Sequence, residues 1–142
     1  MKLAIVTTHP IQYYAPLFKM LHERGAITIK VFYTWSQSKQ GAKYDPGFGK
    51  KIEWDIPLLQ GYDYTFIKNI SKKPGTHRFN GIINPTLIEE IEDWVPDALL
   101  VIGWSFNSHL KCMRYFHNKL PILFRGDSTL LAERIGLRLI MR

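Results

Sequence analysis

The stretch MKLAIVTTHPIQYYAPLFKML, residues 1 to 21, decides the fold. Its first part, KLAIVTT (2 to 8), is a short β-branched apolar run of the kind that forms a buried strand. Its second part has apolar residues at helical spacing, and Pro16 suits the first turn of a helix. These apolar positions are Tyr14, Leu17, Phe18 and Leu21. The turn between strand and helix contains no glycine, so it lacks the usual glycine-rich phosphate loop.

A second strand follows this helix. Gly25 suits the left-handed position just after a helix, and ITIKVFYTW (27 to 35) partly alternates between apolar and polar residues. Strand, helix and strand together predict a β-α-β unit.

The remaining sequence continues the alternation of strands and helices. Three further strands are predicted at YDYTFIKN (62 to 69), DALLVIG (97 to 103) and LPILFRG (120 to 126). Asn84 as N-cap and Pro85 predict the start of a helix that Pro96 ends, and Ser105 begins the next helix. Asp127 or Ser128 caps a last helix towards Arg142.

This pattern predicts an α/β fold: a Rossmann-like, doubly wound, mostly parallel sheet with helices on both faces. Residues 1 to 128 form the predicted domain, and 129 to 142 begin a helix that leads onward. Residues 36 to 61 show neither the helical nor the strand spacing of apolar residues. This predicts a long, functional loop with at most a short strand near 52 to 54.

The composition of the chain predicts which kinds of site and location are absent. Cys112 is the single cysteine and has no partners at metal-ligand spacing, so we expect a buried structural thiol, no disulfide and no metal. No apolar run approaches the roughly 20 residues that cross a bilayer, and we expect a cytoplasmic protein.

The formal net charge is +7, with the excess in KNISKKPGTHR (68 to 78) and in three arginines of the terminal helix. These are Arg134, Arg138 and Arg142. The basic stretch suits phosphorylated substrates or anionic lipid, or is simply a solvated loop. It lacks interleaved aromatic residues, so no nucleic-acid partner is expected. The terminal helix either contacts an anionic membrane peripherally, at the inner face, or packs on protein.

Polar and aromatic clusters follow three predicted strands: THPIQYY (8 to 14), GWSFNSH (103 to 109) and RGDST (125 to 129). Aromatic faces beside amide, hydroxyl and carboxylate groups suit a sugar. The candidates are Gln12, Tyr13, Tyr14, Trp104, Ser105, Asn107 and Asp127. Each has a plainer interpretation as turn, core or cap, and His109 is expected to be a surface or packing residue rather than a base.

The ordered motifs MKLAIVTTHPIQYYAPLFKML, VFYTW, YDPGFGKKIEWDIPLLQGY, GIINP, PDALLVIGWSFNSH and PILFRGDSTLL cover nearly the whole chain. Together they resemble the N-terminal domain of a bacterial glycosyltransferase of the GT-B fold, in the retaining family 4 group. The resemblance implies two Rossmann-like domains across a cleft, with the sugar acceptor mainly on the N-terminal one and the nucleotide-sugar mainly on the C-terminal one.

Two departures qualify the resemblance. Many members have a histidine after the fifth strand, where this chain has Arg125-Gly126-Asp127. The paired glutamates on the donor side belong to a C-terminal domain that is missing here, so the chain resembles a fragment that is inactive alone.

The resemblance implies transfer of a sugar, of hexosyltransferase type, from a nucleotide-sugar to a carbohydrate or lipid-linked acceptor, as in polysaccharide biosynthesis. Neither a metal nor a cofactor is expected. Arg125 and Asp127 are placed closest to the chemistry as catalytic candidates. Acceptor contacts are assigned to His9, Gln12, Tyr13, Tyr14, Trp104, Ser105 and Asn107. The alternatives are a nucleotide-sugar epimerase-like enzyme and a non-catalytic carbohydrate-binding or interaction module.

Overall fold

The computed structural model describes residues 1 to 36, 42 to 45, 50 to 53 and 57 to 126. The elements in chain order are β1 (Lys2–Thr7), α1 (Ala15–Arg24), β2 (Thr28–Tyr33), β3 (Ala42–Asp45), β4 (Lys50–Glu53), β5 (Asp63–Phe66), a 3₁₀ turn (Phe79–Gly81), α2 (Leu87–Trp94), β6 (Ala98–Ile102), α3 (Asn107–Phe116) and β7 (Ile122–Arg125). The terminal-helix prediction, with the boundary at 128, falls outside these residues.

Five of the strands form one all-parallel sheet in the order β5-β2-β1-β6-β7. Ile5 at its centre pairs with Val31 on one side and Leu100 on the other. The chain builds outward from β1 to β5, then returns to β6 beside β1 and builds outward the other way. The loops that follow β1 and β6 therefore diverge, and such a reversal point opens a crevice at the carboxyl ends of the strands.

Alternate residues of β1 belong to two separate cores, because successive side chains of a strand point to opposite faces. Leu3 and Ile5 pack on the α1 side with Phe18. Ala4 and Val6 pack on the other side, where the core also contains residues of α2 and α3. Helices thus cover both faces of the parallel sheet, which explains why β6 and the interior of β1, residues 3 to 6, are apolar.

Helix α1 has the boundaries that its sequence predicts. Pro16 lies in the first turn, where its missing N–H would be unpaired in any case. Gly25 ends the helix with φ +65° and donates its N–H to the His22 carbonyl at 3.1 Å. The β-α-β unit predicted from residues 1 to 35 is confirmed.

The stretch from 36 to 61 departs from the prediction. Its described residues form two strands, β3 and β4, paired antiparallel from Ala42 opposite Glu53 to Asp45 opposite Lys50. The predicted limit of a single short strand near 52 to 54 is therefore wrong. The sequence signal for a second strand was PGFG (46 to 49), whose composition separates two short segments.

Both predicted helix starts are also wrong. Helix α2 begins at Leu87 with Thr86 in the capping position, and α3 begins at Asn107 after extended Phe106. Asn84 does not cap a helix, because its side-chain amide donates to the carbonyls at the ends of two strands. Ser105 stays outside α3, since the chain is still extended at the following residue.

Within the described ranges, we find no helix that combines the length and the apolar character needed to cross a bilayer.

Candidate functional site

A cleft of about 360 Å³ opens where the loops after β1 and β6 diverge. Its lining residues are Thr7, Thr8, His9, Ile11, Tyr13, Tyr14, Thr76, Ile102, Gly103, Trp104, Ser105 and Phe106. Five of the seven predicted acceptor-contact residues line the cleft, on two loops that are about 90 residues apart in the sequence. The parallel sheet brings these loops together, as the carboxyl-end rule predicts.

The first wall of the cleft contains a tyrosine pair. Tyr13 is 60% exposed, whereas Tyr14 is 4% exposed, with ring centroids 4.6 Å apart. Tyr14 lies parallel to the Phe18 ring at 5.9 Å and so belongs to the α1 core. The buried Tyr14 ring therefore packs against the Tyr13 ring, which remains exposed in the cleft lining.

His9 is the imidazole of this wall. Its Nδ1 lies 2.9 Å from Thr8 Oγ1, and its ring meets Trp35 edge-on at 5.5 Å. These contacts orient a half-buried ring in the cleft lining.

The opposite wall begins at Gly103, whose φ of +78° is a conformation that costs little only for glycine. This turn leads the chain away from β6, and the half-buried Trp104 and the exposed Ser105 then face the cleft. The Gly103 N–H donates to the Arg125 carbonyl at 2.9 Å and so joins the ends of β6 and β7.

Arg125 lies beside the cleft rather than in its lining. Its guanidinium carbon is 5.0 Å from the centroid of the Tyr14 ring, within cation–π distance. The arginine thus places a positive charge next to the tyrosine pair. Asp127, the other catalytic candidate, lies outside the described residues, and its role stays a prediction.

Two predicted contact residues do not join the lining. Gln12 is exposed on the loop after β1. Asn107 opens α3 and donates from Nδ2 to Asn80 Oδ1 at 2.9 Å, which ties the helix to the 3₁₀ turn. Asn107 therefore pairs with Asn80 and does not line the cleft.

Sequence reasoning missed Thr76 as a lining residue. It belongs to the basic stretch 68 to 78, whose charge is the feature that the sequence shows. No local pattern places this loop beside β1 and β6, because its position depends on bonds to residues beyond it in the chain. With Thr7, Thr8 and Ser105, Thr76 adds hydroxyl-bearing side chains to the lining.

His109 supports the cleft from below. It is fully buried, with Nδ1 2.7 Å from the Gly103 carbonyl and Nε2 2.9 Å from Thr34 Oγ1. The carbonyl can only accept, so Nδ1 carries the proton and the neutral ring accepts at Nε2. Burial lowers the pKa of His109 to about 4. The expectation of a packing residue is confirmed, and a surface position is excluded.

Asn84 joins the other strand ends. Its Nδ2 donates to the carbonyls of Thr34 at 2.9 Å and Ile67 at 3.1 Å, just after β2 and β5. Its own backbone N–H donates to Ser108 Oγ at 2.7 Å. Asn84 and His109 therefore connect the residues that follow β2, β5 and β6 at the edge of the sheet from which the cleft loops extend.

The chemistry of the described lining suits binding more than proton transfer. Aromatic faces and hydroxyls match a ligand with C–H faces and hydroxyl groups, and the described part of the lining contains no carboxylate. Among the described residues, no group of three or more His, Cys, Asp or Glu side chains is arranged to hold a metal ion.

Comparison with protein-family models, curated proteins and solved structures finds no match for this chain.

Proposed function

We propose that this chain is the acceptor-binding, N-terminal domain of a GT-B-type glycosyltransferase, in the manner of the retaining family 4 group. One observation carries the proposal: the cleft at the strand-order reversal is lined by aromatic faces and hydroxyls, with no glycine-rich turn after β1. A nucleotide-binding α/β domain uses that turn to hold phosphate, whereas this cleft offers the groups that contact sugars.

The fold supports the same proposal. A parallel sheet whose order reverses between β1 and β6, with helices on both faces, fits a Rossmann-like, doubly wound unit. Two such units form a GT-B enzyme, and the resemblance assigns the nucleotide-sugar to the second unit. The complete enzyme would transfer a sugar to a carbohydrate or lipid-linked acceptor without a metal.

The cleft residues take distinct roles in this proposal. The exposed Tyr13 ring and the Trp104 indole stack on the acceptor ring, while His9 and Ser105 exchange hydrogen bonds with its hydroxyls. Arg125 supplies positive charge beside Tyr14 where charge develops on a departing phosphate. These contacts hold the acceptor; the donor would approach from the other domain.

A titration of the 142-residue chain tests the acceptor role. The probes are maltose, cellobiose and chitobiose on one side and the nucleotide-sugars UDP-glucose and GDP-mannose on the other, with amide NMR shifts as readout. We expect a disaccharide to shift the signals of Tyr13 and Trp104, and the nucleotide-sugars to bind weakly.

Tyr13→Ala should weaken disaccharide binding several-fold, because the lost stacking is on the order of 1 kcal/mol. Tyr115→Ala is the matched control, since Tyr115 is an exposed tyrosine on α3, outside the cleft lining. Micromolar binding of a nucleotide-sugar that is lost in Tyr13→Ala would place the nucleotide-sugar in the cleft, contradict the acceptor assignment and favour an epimerase-like enzyme. Disaccharide binding that depends on Tyr13, in a protein with no transferase partner domain, would favour a carbohydrate-binding module.

Asp127→Asn tests the proposed catalytic role in an enzyme that contains both domains. If the carboxylate positions or deprotonates the acceptor hydroxyl, turnover falls by about 10²–10⁴ while the melting temperature stays the same. Asparagine caps a helix about as well as aspartate, so near-normal turnover would assign Asp127 to capping alone.

A further inference from the structure

The loop from Lys68 to Arg78 is strongly basic and has no acidic neighbours in the sequence. Residues 64 to 88 contain no Asp or Glu. The basic side chains are Lys68, Lys72, Lys73, His77 and Arg78. The ion pairs found among the described residues join other groups, at Met1–Asp97, Lys19–Glu23 and Lys119–Glu92. The loop therefore keeps its positive charge available to a ligand.

The backbone of this loop is held in place by side chains. Asn69 accepts from the N–H groups of Ser71 at 3.0 Å and Ile83 at 2.9 Å, and donates to the Gly81 carbonyl at 2.9 Å. Ser71 donates to the Asn80 carbonyl at 2.6 Å. These bonds connect the two ends of the loop, which distinguishes it from a freely solvated charged segment.

Two glycines close the loop across its middle. Gly75 donates its N–H to the Gly81 carbonyl at 3.1 Å. A Cβ built on Gly81 would lie 2.0 Å from the Gly75 carbonyl oxygen, so only glycine permits this approach. The loop thus has a defined shape before any ligand arrives.

That shape is concave on the basic side. A depression of about 270 Å³ is lined by Lys73, Pro74, Gly75, His77 and Arg78. Three of the five lining residues carry nitrogen donors at their tips. A guanidinium presents a planar fork that matches phosphate oxygens, and a lysine adds a compact positive charge.

The depression adjoins the cleft. Thr76 lines the cleft, and its two chain neighbours, Gly75 and His77, line the depression. The cleft and the depression are therefore lined by consecutive residues of one loop.

We propose that the loop from Lys68 to Arg78 is a binding site for a phosphate-type anion, a phosphomonoester or diphosphate. The anion lies in the depression between Lys73, His77 and Arg78, beside whatever occupies the cleft. The site stands on the loop's own geometry and does not depend on the proposed sugar specificity. The phosphate can belong to a free phosphorylated ligand or to a lipid headgroup.

Isothermal titration of the 142-residue chain with inorganic pyrophosphate tests the site. We expect saturable binding that weakens by about tenfold or more in Arg78→Gln, because a bidentate charged contact is lost. Arg114→Gln is the matched control: Arg114 is exposed on α3, the substitution removes the same charge, and binding should change less than about twofold. If both variants weaken pyrophosphate binding equally, the net charge of the protein alone explains the binding, and the proposal is overturned.

Ser71→Ala tests the shape of the loop without changing its charge. It removes the hydrogen bond to the Asn80 carbonyl, and we expect weaker pyrophosphate binding at unchanged net charge. If Ser71→Ala binds pyrophosphate as tightly as the wild type, the shape of the loop does not contribute to binding. That result would overturn the proposal of a preformed anion site.

Vesicle co-sedimentation separates the two sources of phosphate. Neutral phosphatidylcholine vesicles are compared with the same vesicles containing phosphatidic acid, whose headgroup is a phosphomonoester. Arg78-dependent binding to the second set alone supports a lipid headgroup, and Arg78-dependent pyrophosphate binding alone supports a free ligand. No Arg78-dependent binding in either arm overturns the proposal. Tyr13→Ala should leave pyrophosphate binding unchanged, so the acceptor assignment can fail separately.

Discussion

Thr34 and His109 are 75 positions apart in the chain, and Thr34 Oγ1 lies 2.9 Å from His109 Nε2. The same hydroxyl lies 3.2 Å from the Thr7 carbonyl. His109 Nδ1 donates to the Gly103 carbonyl and Nε2 accepts the single proton of the Thr34 hydroxyl, so one buried imidazole connects the residues after β2 and β6. The Thr34 N–H donates to the Thr7 carbonyl at 3.0 Å and joins the end of β1 to them. These are the strands that carry the cleft loops or flank them, so this contact couples the site to the stability of the sheet.

Acid should weaken the fold through His109. Burial lowers the pKa of His109 to about 4 in the folded state, whereas the ordinary histidine pKa of 6.5 applies when the chain is unfolded. Between these values the unfolded state binds the extra proton, so the stability is fully present above about pH 6.5 and is lost as pH falls towards 4. The loss approaches roughly 3 kcal/mol.

Urea unfolding at several pH values measures this dependence. In His109→Gln the decline in unfolding free energy between about pH 6.5 and 4 should be much shallower, whereas His117→Gln, an exposed control, should keep it. The same slope in all three proteins would show that His109 does not titrate as described.

The buried pair Tyr33 and Tyr62 should respond unequally to loss of a hydroxyl. Their hydroxyl oxygens are 2.7 Å apart, and Tyr62 donates to the Leu58 carbonyl. Tyr62 therefore has no proton left for Tyr33, and Tyr33 must be the donor. Burial, with this bond, raises the pKa of Tyr33, which keeps its proton in place.

Tyr62→Phe leaves the Tyr33 hydroxyl without its acceptor and the Leu58 carbonyl without its donor. We expect it to cost about 1–3 kcal/mol of unfolding free energy, and Tyr33→Phe to cost about 0.5–1.5 kcal/mol. Thermal or urea unfolding of both variants provides the comparison. A larger cost for Tyr33→Phe would reverse the assigned donor and acceptor.

Asn84→Asp should be more damaging than Asn84→Ala. The amide donates to the Thr34 and Ile67 carbonyls in the interior, and a carboxylate of the same shape would face those oxygens with negative charge. We expect about 3 kcal/mol or more for Asp at neutral pH, because a buried charge would have no partner. Unfolding at lower pH should recover part of the loss, since a protonated carboxyl can donate. An Asp variant as stable as the Ala variant would contradict this role.

Gly81→Ala should destabilise the protein through a contact with backbone. Its Cβ would meet the Gly75 carbonyl oxygen, which cannot move without opening the basic loop, and overpacking of this kind costs about 1–3 kcal/mol. Gly126→Ala is the control, because its Cβ would meet the tip of the exposed Phe124 side chain, which can rotate away. Similar melting temperatures for the two variants would show that the loop is not closed at Gly81.

Local sequence signals predicted the parts of the fold that depend on local physics. The apolar runs, the helix period and the position of Gly25 specify β1, α1 and β2, which occur within two residues of the predicted bounds. The carboxyl-end rule then placed Tyr13 and Trp104 in one cleft.

What the sequence could not show depends on distant partners. Asn84 before Pro85 has the composition of a helix cap, but strand ends 17 and 50 residues away use its amide. His109 is a polar residue near the start of a helix, and only its contacts with Thr34 and Gly103 explain its complete burial. Thr76 reaches the cleft because Asn69 and Gly81 fold the loop back on itself.

The buried thiol of Cys112 makes this protein convenient for site-specific labelling. It is the single cysteine, it has no solvent exposure, and burial raises its pKa to about 12. Thiol reagents attack the thiolate, so the native protein should resist maleimide dyes at neutral pH. A cysteine introduced at Ser105 would then be the one reactive position, and a fluorophore there would report directly on occupation of the cleft.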